Sequence, residues 1–275
     1  MTAPAESMPS TAVVTGLRQP GAFHPDPRPA APVRMILAQA RLETRMLLRN
    51  AEQVLLAIVI PALMLIAFSA EPLGIVTGTS RIDYFAPGIL GAAVLSTAFA
   101  SQAIATGFER RYGVLKRLGA TPLSRVGLIA AKTSTVIAVE LLQGALIIAV
   151  GLALGWRPDA SPAAIGVAPL LVVLGTAAFS GLALLMAGTL RAEATLAGAN
   201  LVYIVLLGVG GVVFPLTKFP GPARPVLELL PTGALSTGLR DVLQHGATFP
   251  AGNTITLAFW AVAAITLAAR TFRWE

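Results

Sequence analysis

The chain carries uncharged apolar runs at residues 53–70, 84–108, 160–190, 194–217 and 246–269, and a further one at 133–156 broken only by Glu140. About 20 apolar residues in a helix cover ~30 Å of hydrocarbon, so each run is long enough to cross a bilayer. Inside lipid the backbone finds no water to bond, which leaves helices or a closed barrel. None of the runs alternates with the period of two that barrel strands show. The reading is an all-α integral membrane protein with six transmembrane helices, at about 53–70, 84–107, 133–155, 164–190, 195–214 and 253–270. With 55% hydrophobic and 12% charged residues among 275, a single water-soluble core is excluded.

The formal charge of +7 would suit a nucleic-acid binder, but its placement follows the membrane, and no nucleic-acid partner is expected. Of the 20 Lys and Arg, 15 fall before the first run, between runs two and three, at Arg191, or at the C-terminus. The positive-inside rule makes those segments, and both termini, cytoplasmic. Residues 1–33, rich in Pro and Ala, read as a disordered cytoplasmic tail, and no signal peptide is evident. Arg outnumbers Lys 17 to 3, a bias that points to a GC-rich bacterial genome and so to the bacterial plasma (inner) membrane. Arg34, Arg41, Arg45 and Arg49 recur at seven, four and four residues and share one helical face. They mark either an amphipathic interfacial helix before the first span or a positive flank that only fixes topology.

Two connections are more than simple loops. In the connection 109–125 and just before it, Phe108, Tyr112, Leu115 and Gly119 recur at helical spacing with Arg110, Arg111, Lys116 and Arg117 between them, which predicts a short amphipathic helix. Thr121 and Pro122 then supply an expected N-cap and first-turn proline for the next helix. On the outside, residues 215–253 are too apolar for a hairpin loop and are broken at Pro215 and Pro231. Leu235 and Leu239 lie in the second half of that segment. Two short helices dipping into the outer leaflet as a re-entrant pair fit this pattern, as does a surface helical hairpin.

The chemistry on offer is narrow. There is no phosphate-loop motif for nucleotide, no zinc-protease motif and no Cys, and the two His, His24 and His245, stand far apart in the sequence. No metal site, bound cofactor or catalytic group is expected in this chain. Within the spans Glu140 is the one ionisable side chain, about 10 Å inside by helical rise if its span begins near Thr133. Gln102 and Asn200 are expected at similar depth. The resulting polar layer serves either as a path for the polar part of an amphiphilic substrate or as interhelical hydrogen bonding with Glu140 neutral.

The stretch Glu109-Arg110-Arg111-Tyr112-Gly113-Val114-Leu115-Lys116-Arg117-Leu118-Gly119-Ala120-Thr121-Pro122-Leu123-Ser124, with Lys132 eight residues on, resembles the cytoplasmic signature of ABC-2 type permeases. Pro61 within the first run, Phe214-Pro215 and Leu230-Pro231 are similar to the family as well, so the resemblance covers about residues 34–275. It departs at Gly113-Val114, where many members read Gly-Thr. The resemblance implies a transmembrane subunit of an ATP-driven exporter, with ATP and Mg held by a separate ABC ATPase. Two ATPase copies would pair with two membrane subunits, the second being a copy of this chain or a paralogue. It further implies that Glu109, Arg110, Tyr112, Gly113, Leu115, Lys116, Arg117, Thr121 and Pro122 form the ATPase-coupling element. The cargo would be a hydrophobic or amphiphilic drug, lipid or lipid-linked glycan, with antibiotic efflux as one outcome. An ion-coupled secondary transporter would instead need further acids near the midplane. A non-transporting assembly partner would show no ATP dependence.

Overall fold

The computed structural model describes residues 29–70, 80–158 and 161–271, so most of the expected tail at 1–33 lies outside the described residues. Among the described residues all regular structure is helical, as expected of an all-α integral membrane protein. The helices belong to the unit Ala31–Glu275.

Helix α1, Pro32–Arg49, starts on a proline, whose missing N–H is no loss in a first turn. Ile36, Ala40, Glu43 and Leu47, half-buried or buried, are spaced four, three and four apart and form one stripe, flanked by half-buried Met35, Gln39 and Thr44. The four arginines lie on the opposite side, with exposed Val33, Leu37 and Leu48 on one flank and Leu42 and Met46 on the other. Helix α2, Ala51–Ala70, continues through Pro61.

Helix α3, Arg81–Val94, passes through a π-helical turn, Leu95–Ser101, into α4, Gln102–Arg111. Together they make one span of 31 residues, Arg81–Arg111. The short α5 is Val114–Gly119, and α6 runs Arg125–Ala153. Helix α7, Pro162–Thr189, and α8, Ala192–Val209, follow. After a 3-10 turn at Leu216–Lys218 come α9, Arg224–Glu228, α10, Pro231–Leu243, and α11, Ala251–Thr271. Among the described residues five helices are long and apolar enough to cross a membrane: Arg81–Arg111, Arg125–Ala153, Ile165–Thr189, Ala192–Val209 and Ala251–Thr271. In α2 the apolar stretch Val59–Ala70 is shorter than that standard, while the whole helix has 20 residues.

The structure redraws three local expectations. The single amphipathic helix anticipated across 109–119 is two helices, because Gly113 adopts the left-handed conformation, φ 73°, and stops α4. Thr121 and Pro122 do not start α6. Ser124, with extended backbone, is its N-cap and its Oγ accepts from Gly127 N at 3.0 Å, while Thr121 Oγ1 bonds back to Leu118 O at 2.6 Å and closes the turn. The expected span to residue 214 stops at Val209, where Gly211 turns the chain at φ 74°.

Packing depends on small residues. The buried positions of α11, Leu257, Ala261, Ala264 and Ala268, are spaced four, three and four and face α7. A Cβ placed on Gly181 of α7 would sit 2.8 Å from Ala264 Cβ, so the two backbones nearly touch. Helix α10 is buried on almost every side among α3, α7 and α11. Leu235 fits a notch between Gly91 of α3 and Gly175 of α7. Neither half of the Pro231-broken segment could span alone, and α9 stays exposed while α10 enters the bundle.

Candidate functional site

One end of the bundle is organised around Lys132. Its side chain is 5% exposed, and Nζ lies 2.7 Å from Glu109 Oε2 and 3.4 Å from Glu43 Oε1. An ammonium this buried needs paired carboxylates to offset its desolvation. The three groups come from α6, α4 and α1, so one charge cluster pins α1 and the end of α4 to α6. Thr135 Oγ1 adds a bond to Ala40 O at 3.2 Å.

The same end of α4 is tied to its other neighbours. Arg110 donates to Leu190 O in the α7–α8 connection, and Arg111 pairs with Glu193 on α8. Beyond Gly113, Leu115 is fully buried with Leu118, Leu123, Leu128, Ile129, Leu184 and Ala268. Leu115 therefore belongs to the core and not to an outward apolar face, because the Gly113 break re-aims α5. What α5 and its flanks present outward is Tyr112, 69% exposed, and Val114, 41% exposed. Lys116, Arg117, Thr121 and Pro122 are exposed around them. The outcome is a small apolar knob with a basic rim, fixed to the spans by Leu115 and three ion-pair or carbonyl contacts.

The second group lies among the spans. Glu140, 6% exposed on α6, accepts from Thr176 of α7 through Oε2 at 2.5 Å, and its Oε1 has no hydrogen-bond partner. One turn along α7, Ser180 donates to Gln102 Oε1 at 2.8 Å. Thr97, in the π-helical turn, donates to Gln143 Oε1 at 2.9 Å. Gln102 and Glu140 thus join one polar layer, linked through α7. Asn200 does not; it is exposed on the outer side of α8. Thr97, Gln143, Thr176 and Ser180 were not singled out from the sequence. Their signal was present as polar residues three or four apart in apolar runs, Glu140 with Gln143 and Thr176 with Ser180.

Glu140 also lines a cleft of about 520 Å³ between α3, α6, α7 and α10. Apart from Glu140 and Gln143 its walls are apolar, including Leu90, Val94, Val172 and Leu239. Trp156, stacked on Gly151 at the far end of α6, closes it, and its Nε1 has no partner.

At the opposite end, Arg240 of α10 is buried. It donates from Nε to Tyr84 O at 3.2 Å and from Nη2 to Gly211 O at 2.5 Å, while its guanidinium lies 3.9 Å over the Tyr84 ring. Tyr84 Oη and Ser236 Oγ donate to Gly211 O and Gly210 O at 2.9 and 2.7 Å. The carbonyls left open where α8 ends are satisfied by side chains from α3 and α10. Of the outer residues expected to matter, Pro231, Leu235 and Leu239 are buried here, and Pro215 is half-buried.

Among the described residues no three His, Asp or Glu gather as a metal site would require. Comparison with curated proteins gives no match. The model of the ABC-2 type transporter family matches residues 36–243, from within α1 through α10, and so covers the Lys132 cluster, the Glu140 layer and the Arg240 contacts. A multi-pass helical bundle matched over that length is a membrane component of an ABC transporter, and the chain belongs to the ABC-2 type transporter family.

Proposed function

We propose that the chain is the transmembrane subunit of an ATP-driven exporter that moves a hydrophobic or amphiphilic compound out of the cytoplasm or inner leaflet. Six spans, with α2 as the first, put both termini in the cytoplasm of a bacterial cell. The basic end carrying α1 and α5 then faces the cytoplasm, and a separate ABC ATPase seats on the Tyr112–Val114 knob. Two such ATPases act on a pair of membrane subunits.

The observation that carries this reading is the two-sidedness of α5. Tyr112 and Val114 are exposed, Leu115 is 0% exposed, and the adjoining α4 is held by Lys132, Leu190 O and Glu193. A partner that pushes on the knob therefore moves α1, α4, α6 and α8 together, as a rigid lever rather than a loop. A solvated loop that only sets topology has no need of such anchoring.

The test is retention of the ATPase and cargo-stimulated ATP hydrolysis in purified complexes. Tyr112→Ala combined with Val114→Asp weakens retention about tenfold or more, the loss of ~1.4 kcal/mol of contact, at unchanged permease level. Leu115→Ala instead lowers the permease level itself, because it opens a cavity in the core. Undiminished retention and stimulation in the double variant refute the docking.

A further inference from the structure

We propose that the cleft between α6 and α7 binds an amphiphilic ammonium ion entering sideways from the bilayer, its cationic head against Glu140 and its apolar body along the cleft walls. This names a class of cargo for the exporter proposed above and rests on that reading only for the direction of movement.

The mouth of the cleft is the first support. Leu141, Ile148, Ile165 and Val173 line it and are 70%, 41%, 69% and 45% exposed on the outside of a membrane bundle, where the surrounding medium is acyl chain. A compound already dissolved in the leaflet reaches this opening without crossing water. The volume, about 520 Å³, falls within the ~300–1,000 Å³ of small-molecule sites.

The head-group chemistry follows from Glu140. A carboxyl whose Oε1 has no protein partner, 6% exposed in an apolar wall, has one acceptor position unfilled. Ammonium supplies both the hydrogen bond and the counter-charge there, and in a low-dielectric cleft that pairing is worth more than at a wet surface. A carboxylate or phosphate head would be repelled by the ionised form of Glu140 that the ammonium pairs with. A neutral alcohol would gain only the weaker hydrogen bond.

Thr176 is arranged to permit the exchange. Its hydroxyl proton reaches Glu140 Oε2 at 2.5 Å or Val172 O at 2.8 Å, so when Glu140 turns to a ligand Thr176 keeps a partner in its own helix. At the other end Trp156 packs on Gly151, eleven residues beyond Glu140 on α6 and so ~16 Å along the axis. The unpartnered Trp156 Nε1–H there matches a hydrogen-bond acceptor on the far end of the ligand.

The test uses the full-length chain in phosphatidylcholine nanodiscs, without nucleotide or ATPase, and two fluorescent probes differing only at the head: 11-(dansylamino)undecylammonium and 11-(dansylamino)undecanol. Binding is read as dansyl fluorescence above that in empty nanodiscs. The ammonium is expected to bind about tenfold or more tighter than the alcohol. Glu140→Gln, which keeps the shape, removes that preference by weakening the ammonium about tenfold while the alcohol stays within about twofold. Gly144→Leu weakens both, since a Cβ there has only Leu90 Cδ2 at 4.0 Å and the longer side chain occupies the cleft. Equal binding of the two probes makes the cleft merely apolar and overturns the proposal. So does a preference that survives Glu140→Gln, an equal loss of both probes in that variant, or indifference to Gly144→Leu. None of these results bears on ATPase docking at Tyr112, so the two readings fail separately.

Discussion

Lys132→Met keeps the shape of the side chain and removes the cation shared by Glu43 and Glu109. Its cost follows from the surroundings. Breaking a buried ion pair by deleting one partner costs about 3–5 kcal/mol, because the remaining charge is left without compensation. Glu43 and Glu109 are 18% and 30% exposed, so water reaches both and the lower end, about 3 kcal/mol, applies. Deleting one carboxylate costs less. Glu109, at 2.7 Å, makes the stronger charge-assisted bond and Glu109→Gln should lose about 2 kcal/mol, while Glu43→Gln at 3.4 Å should lose about 1 kcal/mol. Neutralising the whole cluster in Lys132→Met/Glu43→Gln/Glu109→Gln recovers most of the loss, because an uncharged replacement carries no buried unpaired ion. Reversible SDS titration of the purified chain, followed by circular dichroism, reads these differences. A Lys132→Met midpoint indistinguishable from that of the unmodified chain, or a triple variant no more stable than the single one, would refute the reasoning.

Two further outcomes are expected. Gly181→Ala forces α7 and α11 apart and should cost about 1–3 kcal/mol in the same titration, with Ala264→Gly restoring only part of it, since Ile265 N also lies 2.8 Å from the added Cβ. Arg240→Lys loses the fork that spans Tyr84 O and Gly211 O, and amide hydrogen exchange around Gly210–Val212 should quicken about tenfold or more, the effect of one charge-assisted bond of ~1.5 kcal/mol.

The membrane-spanning character and most helix positions were legible because lipid imposes a coarse rule, about 20 apolar residues without charge, that survives errors of several residues at each end. The arginine face of α1 was legible for the same kind of reason, a simple period. The signature around Glu109 gave the family but not its own geometry. Gly113 read as one small residue in a helical pattern, and only its positive φ shows that Leu115 turns inward while Tyr112 stays out. The role of Lys132 was hidden too, because charge patterning places a basic residue at a span edge as a topology signal, whereas its two partners lie 23 and 89 positions away. Asn200 shows the converse error. Depth along a helix can be estimated from sequence, but the side of the helix that meets a neighbour depends on how the bundle is assembled, and α8 turns that residue outward.

The π-helical turn at Leu95–Ser101 gives the span Arg81–Arg111 one residue more than an uninterrupted α-helix would place between Gly91, where Leu235 packs, and the Glu109 anchor. That surplus is a phase offset. Resolving it into α-helix would rotate one half of the span against the other by ~100° and shift it ~1.5 Å along its axis, so one end must leave its packing. Thr97 sits inside the offset and Gln102 directly after it, so such a slip would carry both out of register with Gln143 and Ser180. The span thus contains its own vernier, on which a one-residue slip of one end against the other reads out as a discrete step at the polar layer.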